Sequence, residues 1–232
     1  MIHVNGAALK PLHAGALWWG ARATLIVSDL HLEKGSAFAG GGALLPPYDT
    51  RATLSRVTAM VDATRAERVI SLGDSIHDAR APERMHRDDI AAIRALTGRA
   101  EWIWISGNHD PDPPAGWGGI RMDRLTDGPL VFRHAAEPGA NGEISGHYHP
   151  KGVVRTRAKR YSGRCFVHDG RRLIMPAFGA YTGGLNVCDP AIASLMTGPV
   201  LVDLIAPRRL VRLPLGRLSQ DQPRRSASAS SF

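Results

Sequence analysis

Cysteine is scarce in this chain of 232 residues, since only Cys165 and Cys188 are present and neither belongs to a CxxC pair. Two such thiols exclude a disulfide framework of the kind found in small secreted proteins. A reducing compartment suits a chain with so little cysteine. We therefore expect a cytoplasmic protein.

Long apolar runs are also missing. The most apolar stretch, residues 14–28, is interrupted by Arg22, and no basic segment or cleavage site frames it. It predicts neither a signal peptide nor a membrane-spanning helix. The glycine-rich stretch 176–184 lacks a phosphate-loop pattern, and we find no repeat or linker. We expect one domain over residues 1–215 and a disordered polar tail over residues 216–232.

Positive charge is in excess. Lysine and arginine number 29 against 21 acidic residues, which gives a net charge of +8 and a pI near 10.2. This balance favours anionic partners such as nucleic acid, nucleotides or acidic membrane surfaces. An arginine-rich source genome would produce the same excess, so charge alone does not choose among them.

The first half of the chain alternates strands and helices. Short β-type runs lie within residues 24–27, 68–74 and 101–110, and residues 35–50 form a loop rich in glycine and proline. Apolar residues at helical spacing predict two helices, one capped by Asp49 or Thr50 and one over residues 83–97 that ends at Gly98.

The second half consists of short β-type runs separated by turn residues, beginning at residues 128–134 and 142–150. The two halves together predict an α/β fold with one sheet from each half. We expect a four-layer α/β/β/α sandwich, in which two packed sheets are flanked by helices.

Polar side chains stand where apolar runs meet loops. The motifs are D-x-H, G-D, G-N-H-D and G-H-x-H, and a further histidine closes the run "LVFRH". Sites in α/β sheets are built at such strand ends. The seven residues that could bind metal there are Asp29, His31, Asp74, Asn108, His134, His147 and His149.

Nitrogen and oxygen ligands without cysteine suit Mn, Fe, Co, Ni or Zn. Seven ligands exceed the needs of one ion, and a carboxylate can bridge two. We therefore predict two divalent ions with about four ligands each, an arrangement that serves displacement at phosphorus. Taken singly, each motif also has a structural explanation, such as a turn or surface histidines. Their joint occurrence in this order favours metal.

This ordered set resembles the calcineurin-like metallophosphoesterase superfamily over residues 24–150. A closer likeness reaches to about Gly184 and includes "SDLHLEKGS", "LLPPYDTRATL", "GHYHPKG" and "MPAFGAYTGG". It is to the ligase-associated DNA-damage-response endonucleases, a branch of the ICC-like phosphoesterases. One departure is His134, which lacks the glycine that precedes this ligand in many members.

The resemblance implies a role for each residue. Asp29, His31 and His149 would bind the first ion, and Asp74 would bridge both. Asn108, His134 and His147 would bind the second. His109 would be catalytic and would face the substrate, with Asp110 orienting it. Mn²⁺ is the expected metal, and a hydroxide bridging the two ions would attack phosphorus.

Cationic side chains near these motifs are candidates for substrate binding. Lys34 follows the first motif, Arg51 lies in "YDTR" and Arg80 ends "SIHDAR". A basic segment that contains Arg155, Arg157, Lys159 and Arg160 follows the last motif, where it could track a nucleic-acid backbone or form a solvated hairpin. His77 and Asp78 could support a metal ligand or lie at the surface.

We consider three functions. The first is a phosphodiesterase or endonuclease acting on nucleic acid in DNA repair, for which the resemblance implies a functional link with a DNA ligase and a helicase. The second is a phosphoesterase for small nucleotide or lipid-linked pyrophosphate substrates, since the same metal core serves both. The third is an inactive metal-binding scaffold, which the complete set of ligand positions disfavours.

Overall fold

The computed structural model describes residues 1–40, 48–110, 116–157 and 159–220. Its first sheet has seven strands in chain order, antiparallel from β1 to β4 and parallel from β4 to β7. These strands are β1 (Ile2–Val4), β2 (Ala7–Pro11), β3 (Leu17–Trp19), β4 (Thr24–Val27), β5 (Arg68–Leu72), β6 (Glu101–Ile105) and β7 (Ile120–Met122).

The second sheet comes from the other half of the chain. Its strands are β8 (Leu125–Asp127), β9 (Leu130–Phe132), β10 (Glu143–Ser145), β11 (Lys151–Arg155), β12 (Arg160–His168), β13 (Arg172–Ile174), β14 (Leu201–Ile205) and β15 (Leu210–Pro214). The order is β15-β14-β12-β13-β10-β9-β8, and β11 pairs with β12. β9, β10 and β13 run parallel to one another.

Helices lie outside both sheets. They are α1 (Lys34–Gly40), α2 (Asp49–Thr64), α3 (Ala81–Arg84), α4 (Arg87–Arg99) and α5 (Pro190–Ala193), with 3₁₀ turns at Gly20–Arg22 and Leu215–Arg217. None of these described helices is long and apolar enough to cross a bilayer.

Alternating side chains explain the layers. On β6, Trp102 and Trp104 face the helices, whereas Ile103 and Ile105 face the second sheet. A strand covered on both faces is apolar at every position, which is why β4, β5 and β6 read as continuous apolar runs. The inner face of the second sheet contributes Phe132 and Phe166 to the same central core.

The predicted four-layer sandwich is confirmed. The two outer layers differ in how much helix covers each sheet. α2 and α4 cover the first sheet, whereas in the described residues α5 and loop segments cover the second, with Ile192 buried beneath them. Leu218 also packs there, and residues 221–232 of the predicted tail lie outside the described residues.

Three local expectations differ from the structure. The helix expected over residues 83–97 is divided into α3 and α4, and α4 continues past Gly98 to Arg99. Residues 35–40, predicted as loop, belong to α1, and residues 41–47 of that loop lie outside the described residues. Asp49 and Thr50 do not cap α2. Instead the Asp49 carboxylate accepts the Gly35 N–H at 2.9 Å, and the Thr50 hydroxyl donates to Glu33 at 2.8 Å. These bonds fasten α2 to the segment that follows the first motif.

Candidate metal centre

Five loops after strands bring the predicted ligands to one region. The carboxyl ends of the parallel strands β4, β5 and β6 share an edge, as do those of β9 and β10. The loops carry Asp29 and His31 after β4, Asp74 after β5, Asn108 after β6, His134 after β9, and His147 and His149 after β10.

One cluster consists of Asp29, His31 and His149, whose ligand atoms all lie within 4.8 Å of one another. Asp29 Oδ1 is 3.2 Å from His149 Nε2, and His31 Nε2 is 3.3 Å from the same nitrogen. Asp29 and His31 are buried and His149 is half-buried. Three donor atoms thus converge beneath the surface.

A second cluster consists of Asp74, His134 and His147, also within 4.8 Å. His134 Nε2 is 3.4 Å from Asp74 Oδ2 and 3.1 Å from His147 Nδ1. This arrangement includes His134, the ligand that departs most from the superfamily pattern in sequence. The structure therefore places it with the other two.

The two clusters adjoin. Asp74 Oδ2 lies 3.8 Å from His31 Nε2 in the first cluster and 3.4 Å from His134 Nε2 in its own. Asp29 Oδ1 lies 3.9 Å from His134 Nδ1. Asp74 Oδ2 therefore faces the Nε2 atoms of histidines from both clusters, whereas Asp29 approaches His134 only at Nδ1, the nitrogen that faces the Leu72 carbonyl.

The donor set fits divalent metal ions. His134 lies between two acceptors, the Leu72 carbonyl at Nδ1 and the Asp74 carboxylate at Nε2, and a neutral imidazole has only one N–H to give them. Buried carboxylates also need a cation nearby. In the described residues, the buried Nδ1 of His31 has no hydrogen-bond partner. Imidazole and carboxylate ligands without thiolate suit Mn, Fe, Co, Ni and Zn.

Supporting hydrogen bonds orient the ligands. His134 Nδ1 is 2.8 Å from the Leu72 carbonyl oxygen, which leaves Nε2 for the centre. The Ser28 hydroxyl donates to the Asp29 carboxylate, and the His147 N–H donates to the same group at 3.1 Å. Backbone and side chains thus fix the rings and carboxylates before any ion binds.

The backbone is strained at the same residues. Asp29, His31 and Asp74 have φ angles of 51°, 43° and 48°, and His147 and His149 have 69° and 46°. Non-glycine residues adopt this left-handed region rarely, at roughly 1–2 kcal/mol each. Such a concentration of positive φ in one site indicates geometry held for function.

Burial and charge set the pKa values in the absence of metal. Burial lowers the pKa of His134, but the hydrogen bond to Asp74 and the charge of Asp29 outweigh it and raise the pKa to about 9. Burial raises the pKa of Asp74, but His134 holds it well below its usual range. Burial lowers the pKa of His31 to about 3. A protonated His134 therefore supplies positive charge where an ion would.

His109 stands over the centre. Its ring centroid is 5.3 Å from that of His31, and its backbone N–H donates to Asp74 Oδ1 at 2.9 Å. Its Nδ1 is 2.8 Å from the His77 carbonyl oxygen, and the His77 ring stacks on it at 5.5 Å. The side chain is exposed, so Nε2 is open to a ligand.

Asp110 does not orient His109, contrary to expectation. One oxygen of its carboxylate accepts the N–H groups of Ser75 and Ile76, and the other has no hydrogen-bond partner in the described residues. Burial raises the pKa of Asp110 to about 6. Asp110 instead holds the turn after Asp74. His77, which the sequence left undecided, supplies the carbonyl that orients His109.

The three predicted substrate cations have different surroundings. Lys34 is half-buried, and its pKa is lowered by burial although Asp49 and Asp74 act against the shift. Arg51 pairs with Asp89 at 3.3 Å, on α4. Arg80 is exposed and its guanidinium is 3.8 Å from Glu83. Lys34 is thus electrostatically coupled to the centre, whereas the contacts of Arg51 and Arg80 are with helices outside it.

Asn108 is exposed and lines a cleft of about 310 Å³ together with His134. Arg124 and Arg133 line the same cleft. Arg133 pairs with Glu137, whereas Arg124 is exposed. Sequence reasoning missed both arginines. The position of Arg133 directly before His134 was a usable signal for one of them.

Comparison with solved structures returns a crystal structure of Pseudomonas putida nuclease MPE. The two chains are 30% identical, the match covers 90% of this chain and 98% of that one, and the TM-score is 0.69. The chain belongs to the metallophosphoesterase superfamily. The protein is therefore a metal-dependent phosphoesterase, and the superfamily predicted from the sequence is confirmed.

A second match is to YfcE, a phosphoesterase from E. coli, at 13% identity over 83% of this chain and 98% of that one. Its TM-score is 0.41. Neither a scan against protein-family models nor a search of curated proteins found a match.

Proposed function

We propose that this metallophosphoesterase is a DNA nuclease that hydrolyses phosphodiester bonds with two divalent metal ions. The observation that carries the proposal is the pair of adjoining clusters that both reach Asp74. Support for a nucleic-acid substrate comes from the 30% identity to a protein named as a nuclease and from the pI near 10.2.

The ligand assignment follows the clusters. Asp29, His31 and His149 would hold one ion, His134 and His147 the other with Asn108 added, and Asp74 would contact both. Two dications of this kind lower the pKa of a water and neutralise charge on phosphate oxygens. Mn²⁺ is the metal we expect, and Fe, Zn, Co and Ni are compatible with the same donors.

His109 acts on the substrate side. With its Nδ1 hydrogen directed to the His77 carbonyl, a protonated ring has Nε2–H free to donate. That hydrogen can stabilise a non-bridging phosphate oxygen and then be transferred to the leaving oxygen. The stack on His77 and the bond from the His109 N–H to Asp74 keep the ring over the centre.

Substrate cations flank the centre on two sides. Lys34 lies close enough to Asp74 for their charges to interact, and Arg124 lies in the cleft beside Asn108 and His134. Guanidinium and ammonium groups in these places would contact the phosphates next to the one being cleaved. An open cleft of this kind admits an extended strand.

The context we propose is DNA repair in the cytoplasm, with a functional link to a DNA ligase and a helicase. This part of the proposal is supported by the family resemblance in the sequence. It is tested by asking whether cells that lack the protein become sensitive to DNA damage in the same way as cells that lack the ligase.

The activity is tested with the purified full chain, Mn²⁺ and four substrates: single-stranded DNA, duplex DNA, a dinucleotide pyrophosphate and a lipid-linked pyrophosphate. We expect DNA cleavage, and loss of at least roughly a hundredfold in kcat for His109→Ala with metal content unchanged. Preferential turnover of either pyrophosphate would replace the nuclease with the second function. If the metal-loaded protein hydrolyses none of the four substrates, the third function, an inactive metal-binding scaffold, would replace the nuclease.

A further inference from the structure

Most of the buried arginines in the described part of the chain pair with a carboxylate. Six arginines of the described chain are buried or half-buried. Four of them, Arg68, Arg84, Arg133 and Arg172, each pair with an aspartate or glutamate. Arg56 and Arg164 are the exceptions, since no described carboxylate pairs with either guanidinium.

Both exceptions hold backbone carbonyls of one segment. Arg56 Nη2 donates to the Phe178 carbonyl at 2.6 Å, and Arg164 Nη1 donates to the Ala177 carbonyl at 2.6 Å. Carbonyl oxygens are dipoles and leave each positive charge unneutralised. A guanidinium has five N–H donors, so these bonds leave others unused.

The two side chains line one cleft of about 410 Å³. It lies between the β2–β3 turn, which contributes His13, and β12 and β14 of the second sheet. Burial lowers the pKa of both arginines, and the charge of Arg164 lowers that of Arg56 further. Two like charges that share a cleft without a counter-ion repel each other, so an anion that enters the cleft stabilises both.

We propose that the cleft between Arg56 and Arg164 binds a phosphate group, at a site separate from the metal centre. Guanidinium forks match phosphate oxygens in pairs, and arginine is the residue best suited to this contact. Placing the phosphate in the substrate strand rests on the proposed nuclease function. Free inorganic phosphate is the other source with the same chemistry.

Two structural connections favour the substrate strand. The segment that both arginines hold is bonded to the first metal loop, since Phe178 N–H donates to the Ser28 carbonyl and Gly179 N–H to the Asp29 carbonyl. Arg164 is also opposite Lys151 in the β11–β12 hairpin, and Lys151 follows His149 by two residues. Cations therefore connect the metal loops with the cleft.

The test uses Arg56→Gln, Arg164→Gln and the double variant of the full chain. Glutamine keeps an N–H for the carbonyl but removes the charge, and the exposed Arg87→Gln is the matched control. In the metal-loaded enzyme, we expect the double variant to raise KM for a DNA 20-mer roughly tenfold with kcat within about twofold. The dependence of log KM on log salt should flatten by about one unit, as for one lost phosphate contact.

Calorimetric titration with inorganic phosphate after metal removal separates the two sources. If the variants lose phosphate binding without a change in KM, the ligand is free phosphate; if KM rises, it is the strand. If the double variant has the same phosphate affinity and the same KM as wild type and Arg87→Gln, the proposal is overturned. Because the titration needs no turnover, it still decides the matter in a protein that proves not to cleave DNA. Arg56→Lys and Arg164→Lys, which keep the charge but lack the fork, should retain part of the binding that the glutamine variants lose, which separates loss of charge from misfolding.

Discussion

In the described part of the chain, histidine lies beside buried aspartate in two regions, and one of the two resembles a binding site. Between β12 and β14, His168 Nε2 is 3.1 Å from Asp203 Oδ2, and Arg212 donates to both oxygens of that carboxylate at 2.9 Å. At the metal centre, Asp74 lies beside His31 and His134 with no arginine among its ion pairs in the described chain.

The difference lies in what the groups leave unsatisfied. The Asp203 carboxylate is neutralised by a planar guanidinium, and its strands have ordinary backbone angles. Around Asp74, ring nitrogens face one another and several residues have positive φ. Convergent acceptors that share too few hydrogens indicate a bound cation, whereas fully satisfied groups indicate a structural role. The comparison makes opposite predictions for the two aspartates.

Replacement of Asp74 should have the largest effect. Asp74→Asn removes the carboxylate shared by both clusters, so we expect turnover to fall by roughly a thousandfold or more. Metal content by elemental analysis should fall from two ions per chain to one or fewer. Asp203→Asn is the matched control, since it removes a buried carboxylate outside the centre and should retain both ions. Full metal content in Asp74→Asn would contradict the shared role.

Asp203→Asn should instead act on stability. Removing the carboxylate takes an acceptor from the buried His168 and the counter-ion from Arg212, but the Arg212 side chain is 39% exposed and water offsets part of the loss. We expect a cost of about 1–2 kcal/mol in the free energy of unfolding. Urea unfolding followed by circular dichroism measures this. Activity per folded molecule should be unchanged. An equal loss of stability in Asp74→Asn, with activity retained, would reverse the distinction between the two regions.

The sequence predicted the centre better than it predicted its supports. Predicted ligands such as Asp29 and His147 do come together in the structure, and the sequence indicated them because several such motifs occur in order, each after a strand. Asp110 was given the wrong partner, because adjacency to His109 does not tell which way a side chain turns after a strand. Arg56 and Arg164 were missed, because an arginine without a counter-ion is recognisable only when the surrounding carboxylates are placed in space.

Gly146, directly before His147, is required because there is no space for a larger side chain beside the predicted ligand Asp29. A Cβ added at Gly146 would lie 1.8 Å from Ser28 Oγ and 2.5 Å from Asp29 Oδ2. Gly146→Ala should therefore displace the Asp29 carboxylate, destabilise the protein by about 2 kcal/mol and weaken metal binding. In α4 a Cβ at Gly98 meets nothing within 4 Å. Gly98→Ala, the control, should stabilise by about 0.5–1 kcal/mol. Calorimetric titration with Mn²⁺ that is equal for both variants would contradict the clash.

The smallest expected effect is that of pH on the free energy of unfolding. The metal centre should make stability depend on pH in the alkaline range, and the Asp203 region in the acid range. In the metal-free protein His134 has a pKa raised to about 9, so its stabilising contribution is present below the usual histidine pKa and is lost as pH rises through 9. We expect a loss on the order of 1–2 kcal/mol between pH 7 and pH 10. His134→Gln should abolish it, and so should saturating Mn²⁺, because a metal-bound imidazole is already neutral.

The pKa of Asp203 is shifted in the opposite direction to that of His134. Burial raises its pKa, but hydrogen bonds from His168 and Arg212 outweigh burial and lower the pKa below its usual range. Its contribution to stability is therefore complete above the usual aspartate pKa and is lost as pH falls through the lowered value. Unfolding measured from pH 2 to pH 10 should show an acid limb that Asp203→Asn reduces and Mn²⁺ leaves in place. If Mn²⁺ removed the acid limb and spared the alkaline one, the assignment of the two regions would be the wrong way round.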